Sequence, residues 1–210
     1  MFGTNYNRIA GQNVGRLEAF SDGVFAVAVT LLALDIHAPA AELIHGEADL
    51  QAALLTLLPR VFVWLLSFMT LGIFWMGQQT LLHAVARGNR DFTWLQLGFL
   101  VCVTLMPFST QLMAEFITLR TALLLYWANS ALLGGFLFAS WRVAFRESLL
   151  QNDERAPAAH SVYRRIIVAQ SLYAFGAALC VISTGWSIGF IMMVQLNYVL
   201  APRLGFLQRL

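Results

Sequence analysis

Charged residues are scarce in this sequence of 210 residues. Only 11% of the residues are charged and 59% are hydrophobic, whereas soluble domains carry about 25% charged and about 45–50% apolar residues. So few charges cannot supply the polar surface that a water-exposed protein of this size needs. The composition therefore excludes a soluble globular domain and predicts that most of the surface contacts a lipid bilayer.

Lysine is absent from the sequence, and cysteine occurs only twice. All 13 positive charges are arginine, and the net charge of +2 without a basic cluster argues against a nucleic-acid partner. Cys102 and Cys180 each lie within an apolar run, where cysteine behaves as a small hydrophobic residue. They form neither a disulfide framework nor a metal-binding spacing. We therefore expect no cofactor and no resident metal ion.

One pattern typical of enzymes does occur. Gly185, Ser187 and Gly189 match G-x-S-x-G, the nucleophile elbow of hydrolases. That motif requires the strand–turn–helix of a soluble sheet and a downstream histidine, whereas here the segment opens a hydrophobic run and no histidine follows. The same glycines form GxxxG, which is typical of packed membrane helices. We therefore expect that the protein is not an enzyme.

Long hydrophobic runs occupy most of the chain. A helix that crosses the hydrocarbon core needs about 20 mostly apolar residues. Six spans are predicted, at Leu17–Ile36, Pro59–His83, Thr93–Ala114, Thr121–Val143, Val162–Ile182 and Trp186–Pro202. We expect a break near Pro107, and a short amphipathic helix at Gln51–Leu58 before a second span whose first turn contains Pro59. The predicted fold class is all-α, a polytopic membrane protein of six transmembrane helices in one domain, residues 1–210.

Arginine positions predict the orientation of these spans. Only Arg60 and Arg120 lie on one side of the predicted membrane, and eleven arginines lie on the other. The eleven are Arg8, Arg16, Arg87, Arg90, Arg142, Arg146, Arg155, Arg164, Arg165, Arg203 and Arg209. Because arginine collects in cytoplasmic loops, we expect a multi-pass protein of the cell membrane with both termini in the cytoplasm. That orientation requires an even number of spans, which six satisfies.

The first span begins with charged and polar residues. Arg16, Phe20, Ser21 and Asp22 follow the spacing R-x-x-x-F-S-D. An ionised aspartate costs about 2.5–3.5 kcal/mol at the bilayer centre and less near the surface. We therefore expect Asp22 near the arginine-rich side, facing neighbouring helices. Helix capping is the alternative, since Ser and Asp side chains accept hydrogen bonds from the first free N–H groups of a helix.

This motif and its continuation GVFAVAVTLLALDI resemble the first helix of the lysosomal and bacterial potassium channels of the transmembrane protein 175 family. A looser similarity extends to the second span, at Ser67, Phe68, Phe74 and Trp75. The resemblance implies a homo-tetramer of six-helix chains in which the first helix of each chain lines a central pore. It also implies that K+ ions cross the lipid bilayer through this pore, and that the four motif residues have a structural role.

Val27, Leu31 and Leu34 lie at i, i+4 and i+7, on one face of the first helix, with Thr30 beside them. On the residues alone, this stripe is typical of ordinary helix packing. The family places bulky apolar side chains at these three positions, so the resemblance implies a pore constriction that bars hydrated ions while it is narrow. Thr30 would add a ring of hydroxyl groups around the passing ion, and K+ would need no fixed ligands.

The sequence departs from the family pattern at two places. Val27 stands where the family often has isoleucine, which implies a wider constriction. Gln78 and Gln79 occupy the region after Phe74 and Trp75 where the family commonly has histidine. A polar link between the first two helices must therefore use amide side chains.

The resemblance favours a potassium-preferring cation channel, and three other functions stay open. A secondary, proton-coupled transporter typically has inverted repeats, broken helices and an ionisable residue at the membrane midplane. Of these features, the sequence predicts only the break near Pro107. A proton-permeable leak channel is the second alternative, because the sequence does not identify the permeant ion. A membrane scaffold without transport activity is the third.

Overall fold

The computed structural model describes residues 13–151 and 157–200, and within these ranges the chain is all-α, as predicted. It forms α1 Val14–Leu34, α2 Glu47–Ala84, α3 Arg90–Thr104, α4 Met106–Glu115, α5 Arg120–Arg146, α6 Pro157–Ala178 and α7 Thr184–Leu200. Short 3₁₀ helices lie between α1 and α2, at Ala41–Leu43, and between α6 and α7, at Leu179–Val181. Arg8, Arg155, Pro202, Arg203 and Arg209 lie outside the described residues.

The seven α-helices correspond to the six predicted spans, with α3 and α4 together forming the third span. Five segments are long and apolar enough to cross a membrane: Val14–Leu34, Glu47–Ala84, Arg90–Glu115, Arg120–Arg146 and Tyr163–Val181. The sixth predicted span corresponds to α7, which has 17 residues in the described part of the chain. At 1.5 Å per residue, α7 is about 26 Å long, slightly less than the roughly 30 Å hydrocarbon core.

The third span is broken at the predicted place. Helix α3 ends at Thr104, α4 begins at Met106, and Leu105 caps both helices. Pro107 has no N–H group, so the carbonyl of Val103 loses its usual partner four residues on. Asn129 of α5 supports the break, because its Nδ2 atom donates a hydrogen bond of 3.1 Å to the carbonyl of Cys102.

Helix α2 corrects one prediction. The prediction of a separate short amphipathic helix at Gln51–Leu58 is wrong, because these residues belong to a continuous helix of 38 residues with Pro59 in its interior. A proline inside a helix removes one hydrogen bond, but Glu47–Leu58 contains mainly strong helix formers and no glycine. The helix is about 57 Å long, nearly twice the thickness of the hydrocarbon core, so part of it lies outside that core.

Loop contacts agree with the predicted alternation of the spans. At one end, Arg60 forms an ion pair of 2.6 Å with Glu115, and Arg120 donates a hydrogen bond to the carbonyl of Val181. At the other end, the N–H of Ala86 donates to the carbonyl of Leu149 at 2.8 Å, which joins the α2–α3 loop to the α5–α6 loop. We call these the arginine-poor and the arginine-rich end.

Helix α5 lies at the centre of the bundle and contacts α2, α3, α4 and α6. Gly98 allows α3 and α5 to approach each other closely, since a Cβ atom at this position would lie 2.5 Å from Cε1 of Phe136 in α5. Small residues at such crossings let membrane helices pack tightly. Gly135 of α5, by contrast, has open space at the position where a Cβ atom would lie.

Replacing Gly98 with alanine should lower the stability of the bundle, because the added methyl group must displace the Phe136 ring. Overpacking of this kind costs about 1–3 kcal/mol. The matched variant Gly135→Ala should be neutral or stabilising by up to about 1 kcal/mol, because alanine is the better helix former. Tm values of both purified variants in detergent test this prediction. Equal Tm values for the two variants would contradict it.

Candidate pore-lining site

Helix α1 begins at Val14, seven residues before Ser21. Asn13 caps the helix, because its side-chain oxygen accepts a hydrogen bond of 3.0 Å from the N–H of Arg16. Ser21 and Asp22 therefore lie inside the helix, where neither side chain can cap its N-terminus. Because Asn13 is the N-cap, helix capping does not explain why Ser21 and Asp22 occur in this apolar helix.

One face of α1 is buried against α2, α3 and α4. The buried residues of this helix are Leu17, Ser21, Phe25, Ala28 and Leu32. Their spacing of three or four residues marks a single face of the helix. The ring of Phe25 packs against Phe99 of α3 with 6.0 Å between the centroids, so apolar contacts hold this face to the bundle.

Ser21 joins α1 to a buried network that we call the amide hub, formed by Ser21, Gln78 and Gln96. The Ser21 hydroxyl donates to the carbonyl of Leu17 at 2.8 Å, so its oxygen remains free to accept. Nε2 of Gln78 donates to this oxygen at 3.1 Å and to Oε1 of Gln96 at 2.8 Å. All three side chains are buried, and the hub therefore ties α1, α2 and α3 together by hydrogen bonds.

Asp22 makes a second link, next to the hub. Its Oδ1 atom accepts hydrogen bonds from Nε1 of Trp75 at 2.9 Å and from Nε2 of Gln79 at 2.7 Å, both on α2. Hydrogen bonds to an ionised carboxylate are about twice as strong as neutral ones. The two helices are thus linked by amides and an indole, as the absence of histidine from this region required.

Sequence reasoning found Gln78 and Gln79 but missed Gln96 as a member of the hub. An uncharged amide within an apolar span of α3 was the available signal, since polar residues at membrane depth face protein partners. Arg16 and Phe20 do not join the hub. Both side chains are exposed on α1, so the four-residue motif divides into two anchoring residues and two residues that point away from the bundle.

The predicted constriction residues lie on a face of α1 that the chain itself leaves uncovered. Val27, Leu31 and Leu34 are 58%, 43% and 67% exposed, whereas Leu32 is fully buried. At 100° per residue, this stripe lies roughly 110° around the helix from the buried face. The sequence grouped the three residues correctly on one face, and the hub orients that face away from the bundle.

Thr30 lies beside this stripe and is also exposed. Its hydroxyl group donates to the carbonyls of Val27 and Ala26 at 2.8 and 3.0 Å. Because a hydroxyl has one proton to donate, the exposed side of the oxygen offers only lone pairs. Such an oxygen can coordinate a cation and cannot donate a hydrogen bond to an anion.

A small cavity opens at the arginine-poor end of α1. Its polar lining includes Asp35, His37, Arg60, Thr110 and Glu115. Burial raises the pKa of Asp35, and the nearby charges of His37 and Arg60 lower it by less. The apolar stripe, which occupies the last third of α1 and ends at Leu34, therefore borders ionisable groups.

Ser187 shows that the G-x-S-x-G pattern is a packing feature. Its side chain is buried in α7, and its hydroxyl donates to the carbonyl of Gly176 in α6. A nucleophilic serine requires an exposed oxygen and a neighbouring base. Ser187 instead joins two membrane helices through a hydrogen bond.

Comparison with known proteins identifies relatives of the whole bundle. The model of the family described as endosomal/lysosomal potassium channel TMEM175 matches residues 16–107, which include the motif, the hub and the stripe. A potassium channel of Chamaesiphon minutus is 31% identical over 193 residues, which are 89% of this chain and 93% of that relative. The human endosomal/lysosomal proton channel TMEM175 is 34% identical over 106 residues, 48% of this chain and 21% of the human protein.

The fold agrees with these sequence relationships. The crystal structure of a lysosomal potassium-selective channel TMEM175 homolog from Chamaesiphon minutus superposes with a TM-score of 0.78 and 29% identity. The superposition covers 90% of this chain and 97% of that chain. Because sequence and fold match over nearly the full length of both proteins, this chain belongs to the TMEM175 family and is a membrane-spanning channel, not an enzyme.

Proposed function

We propose that the chain is one subunit of a homo-tetrameric, potassium-preferring cation channel of the cell membrane, with both termini in the cytoplasm. The six spans act as a single domain over residues 1–210. Helix α1 of each copy lines a central pore, with Val27, Leu31 and Leu34 forming the constriction, and no cofactor takes part. The observation that carries this proposal is the uncovered stripe on a helix whose buried face is anchored by the amide hub.

An axial position explains the exposed side of α1 better than contact with lipid. Thr30 lies beside the apolar stripe and is also exposed. The free lone pairs of its hydroxyl oxygen find no donor in hydrocarbon, whereas water in an axial path can donate to them. The same axis places the apolar stripe around the narrowest part of the path, where bulky side chains exclude water and hydrated ions.

Preference for K+ is supported by the relatives and by Thr30. Two bacterial relatives, from Chamaesiphon minutus and Streptomyces collinus, are named potassium channels. The relative from Chamaesiphon minutus matches nearly the whole chain. Four Thr30 oxygens around an axis would replace part of the hydration shell of a cation. The vertebrate relatives are named proton channels, which keeps proton permeation as the second candidate function.

A proton-coupled transporter is less well supported. The break at Leu105 is a feature of transporters, but the buried polar side chains in the described residues are Ser, Thr, Asn and Gln. None of these titrates near neutral pH. The described spans therefore lack the buried carboxylate or histidine that couples substrate movement to protons.

Shortening the constriction residues should increase K+ flux. Leu31→Ala and Leu34→Ala each widen the apolar ring, and we expect several-fold faster K+ flux into vesicles that contain the purified protein. Leu132→Ala is the matched control, because Leu132 is an exposed leucine of α5. Unchanged flux in both α1 variants, or an equal increase in the control, would count against the constriction.

Cysteine cross-linking should detect the axial position of α1. Oxidation of Val27→Cys in membranes should give disulfide-linked dimers on a denaturing gel, because neighbouring copies meet at the axis. The exposed control Leu132→Cys should give none. The native residues Cys102 and Cys180 are buried, so they should not react. Absence of dimers with Val27→Cys together with dimers in the control would contradict the arrangement.

Removing the Thr30 hydroxyl should weaken discrimination between K+ and Na+. Thr30→Val keeps the shape of the side chain and removes the oxygen, so the ratio of K+ to Na+ permeability should fall. Thr30→Ser keeps the oxygen and should retain the ratio. Reversal potentials under mixed-ion conditions measure this effect, and an unaltered ratio in Thr30→Val would show that selectivity arises elsewhere.

A further inference from the structure

A shallow groove runs along the outer surface of α5. Four residues share one face of this helix because they follow one another at spacings of four, three and four: Ala131, Gly135, Phe138 and Arg142. Gly135 is exposed, and a Cβ atom at this position would meet nothing within 4 Å. The small residues Ala131 and Gly135 thus form an open floor that leads to Arg142. At 1.5 Å per residue, this face extends over about 16 Å, similar to the roughly 15 Å depth of one leaflet of the hydrocarbon core.

Helix α6 forms a wall along one side of the groove. Its Gln170 side chain fills the space beside Gly134, the residue before the open glycine. Nearer the arginine-rich end, the ring of Tyr163 packs edge-on against Phe138, with 5.1 Å between the ring centroids. Ile167 lies one turn after Tyr163 and is 54% exposed. The wall therefore presents apolar side chains to an occupant of the groove.

Two arginines lie at the arginine-rich end of the groove. Arg142 and Arg146 are one turn apart at the end of α5, and both are exposed. Neither forms an ion pair with a described residue, the adjacent Glu147 included. The charge of Arg142 also acts on the Tyr163 hydroxyl. An anion at this place can therefore accept hydrogen bonds from both guanidinium groups.

Membrane orientation and helix polarity account for only part of this arrangement. Arginine collects at the cytoplasmic ends of spans, and a cation is favourable in the last turn of a helix, which explains Arg146. Neither effect requires an open floor next to Arg142 or an aromatic pair beside it. A guanidinium at the boundary of the hydrocarbon core needs a partner, and the phosphate of a lipid headgroup is the anion that the membrane supplies at this depth.

The position of α6 in the bundle leaves the groove open to lipid. Helix α6 packs against α5 and α7, whereas α1 packs against α2, α3 and α4. The groove therefore lies on a part of the bundle that does not border α1. A ligand in the groove is independent of the central pore and of the proposed function.

We propose that the groove binds an anionic phospholipid from the leaflet at the arginine-rich end. Its phosphate accepts hydrogen bonds from Arg142 and Arg146, and one acyl chain lies over Gly135 and Ala131, against α6. Guanidinium groups hold phosphate oxygens in bidentate geometry, and basic pockets between membrane helices bind anionic headgroups. A zwitterionic lipid carries the same phosphate, but its own ammonium group cancels the charge that the two arginines attract.

Native mass spectrometry of the purified full-length protein counts the bound lipids. From equal amounts of phosphatidylglycerol and phosphatidylcholine of the same chain length, the unaltered protein should retain several-fold more phosphatidylglycerol. Arg142→Gln should lower this retention several-fold. Arg87→Gln is the matched control and should retain as much as the unaltered protein, because Arg87 is an exposed arginine of the α2–α3 loop at the same end. Equal retention of both lipids by the unaltered protein, or equal losses in the two variants, would overturn the proposal.

Gly135→Leu tests the groove without a change in charge. The leucine side chain enters open space, so the bundle should fold as before. The acyl chain loses its place, and retention of phosphatidylglycerol should fall several-fold. Gly189→Leu is the matched control, because Gly189 of α7 also has open space where a Cβ atom would lie. Undiminished retention in Gly135→Leu would show that the arginines attract lipid by charge alone, and the site would be wrong.

Glycerol phosphate distinguishes a membrane lipid from a soluble phosphate. An excess of this free headgroup should leave the bound phosphatidylglycerol in place, because the acyl chain supplies part of the binding. Displacement of phosphatidylglycerol by glycerol phosphate would contradict the assignment to a lipid. Absence of K+ flux through the unaltered protein would instead contradict the proposed channel function, because the lipid is counted without any measurement of flux.

Discussion

The rotation of α1 about its own axis depends on the hydrogen bond between Ser21 and Gln78. The Ser21 proton is bound to the carbonyl of Leu17, so the oxygen can only accept, and Gln78 supplies the donor from α2. In a membrane interior, an unmade hydrogen bond has no water to replace it. A rotated α1 would therefore lose this bond and expose Ser21 to lipid. The orientation of the stripe at Val27, Leu31 and Leu34 follows from that constraint.

The side chains of the hub also determine whether a change of pH can disrupt its hydrogen bonds. Amides keep the same charge across the physiological pH range, whereas histidine titrates near pH 6.5. Because Gln78, Gln79 and Gln96 stand at the hub and at the neighbouring Asp22 contact, protonation of a histidine cannot loosen the attachment of α1 at these positions.

The sequence predicted the all-α fold, the spans and the break at Pro107, because the bilayer imposes long apolar helices and proline removes a hydrogen bond at a fixed place. It also grouped Val27, Leu31 and Leu34 on one face, since helical periodicity decides that. Periodicity could not reveal which helices face each other, so the part that Gln96 plays in the hub was missed. It also placed the start of α2 after Gln51–Leu58, because Pro59 was interpreted as a boundary although its φ fits a helix interior.

In the proposed channel, copies of α1 surround an axial path and present Val27, Leu31 and Leu34 to it, while Leu17, Phe25 and Leu32 contact their own bundle. An experimental structure of the assembled protein in lipid nanodiscs measures this most directly. We expect four copies, with the stripe of each α1 turned to a shared axis and Asp22 of each copy bonded to Trp75 of the same chain. An assembly in which the stripe contacts lipid, or in which another helix lines the axis, would contradict it.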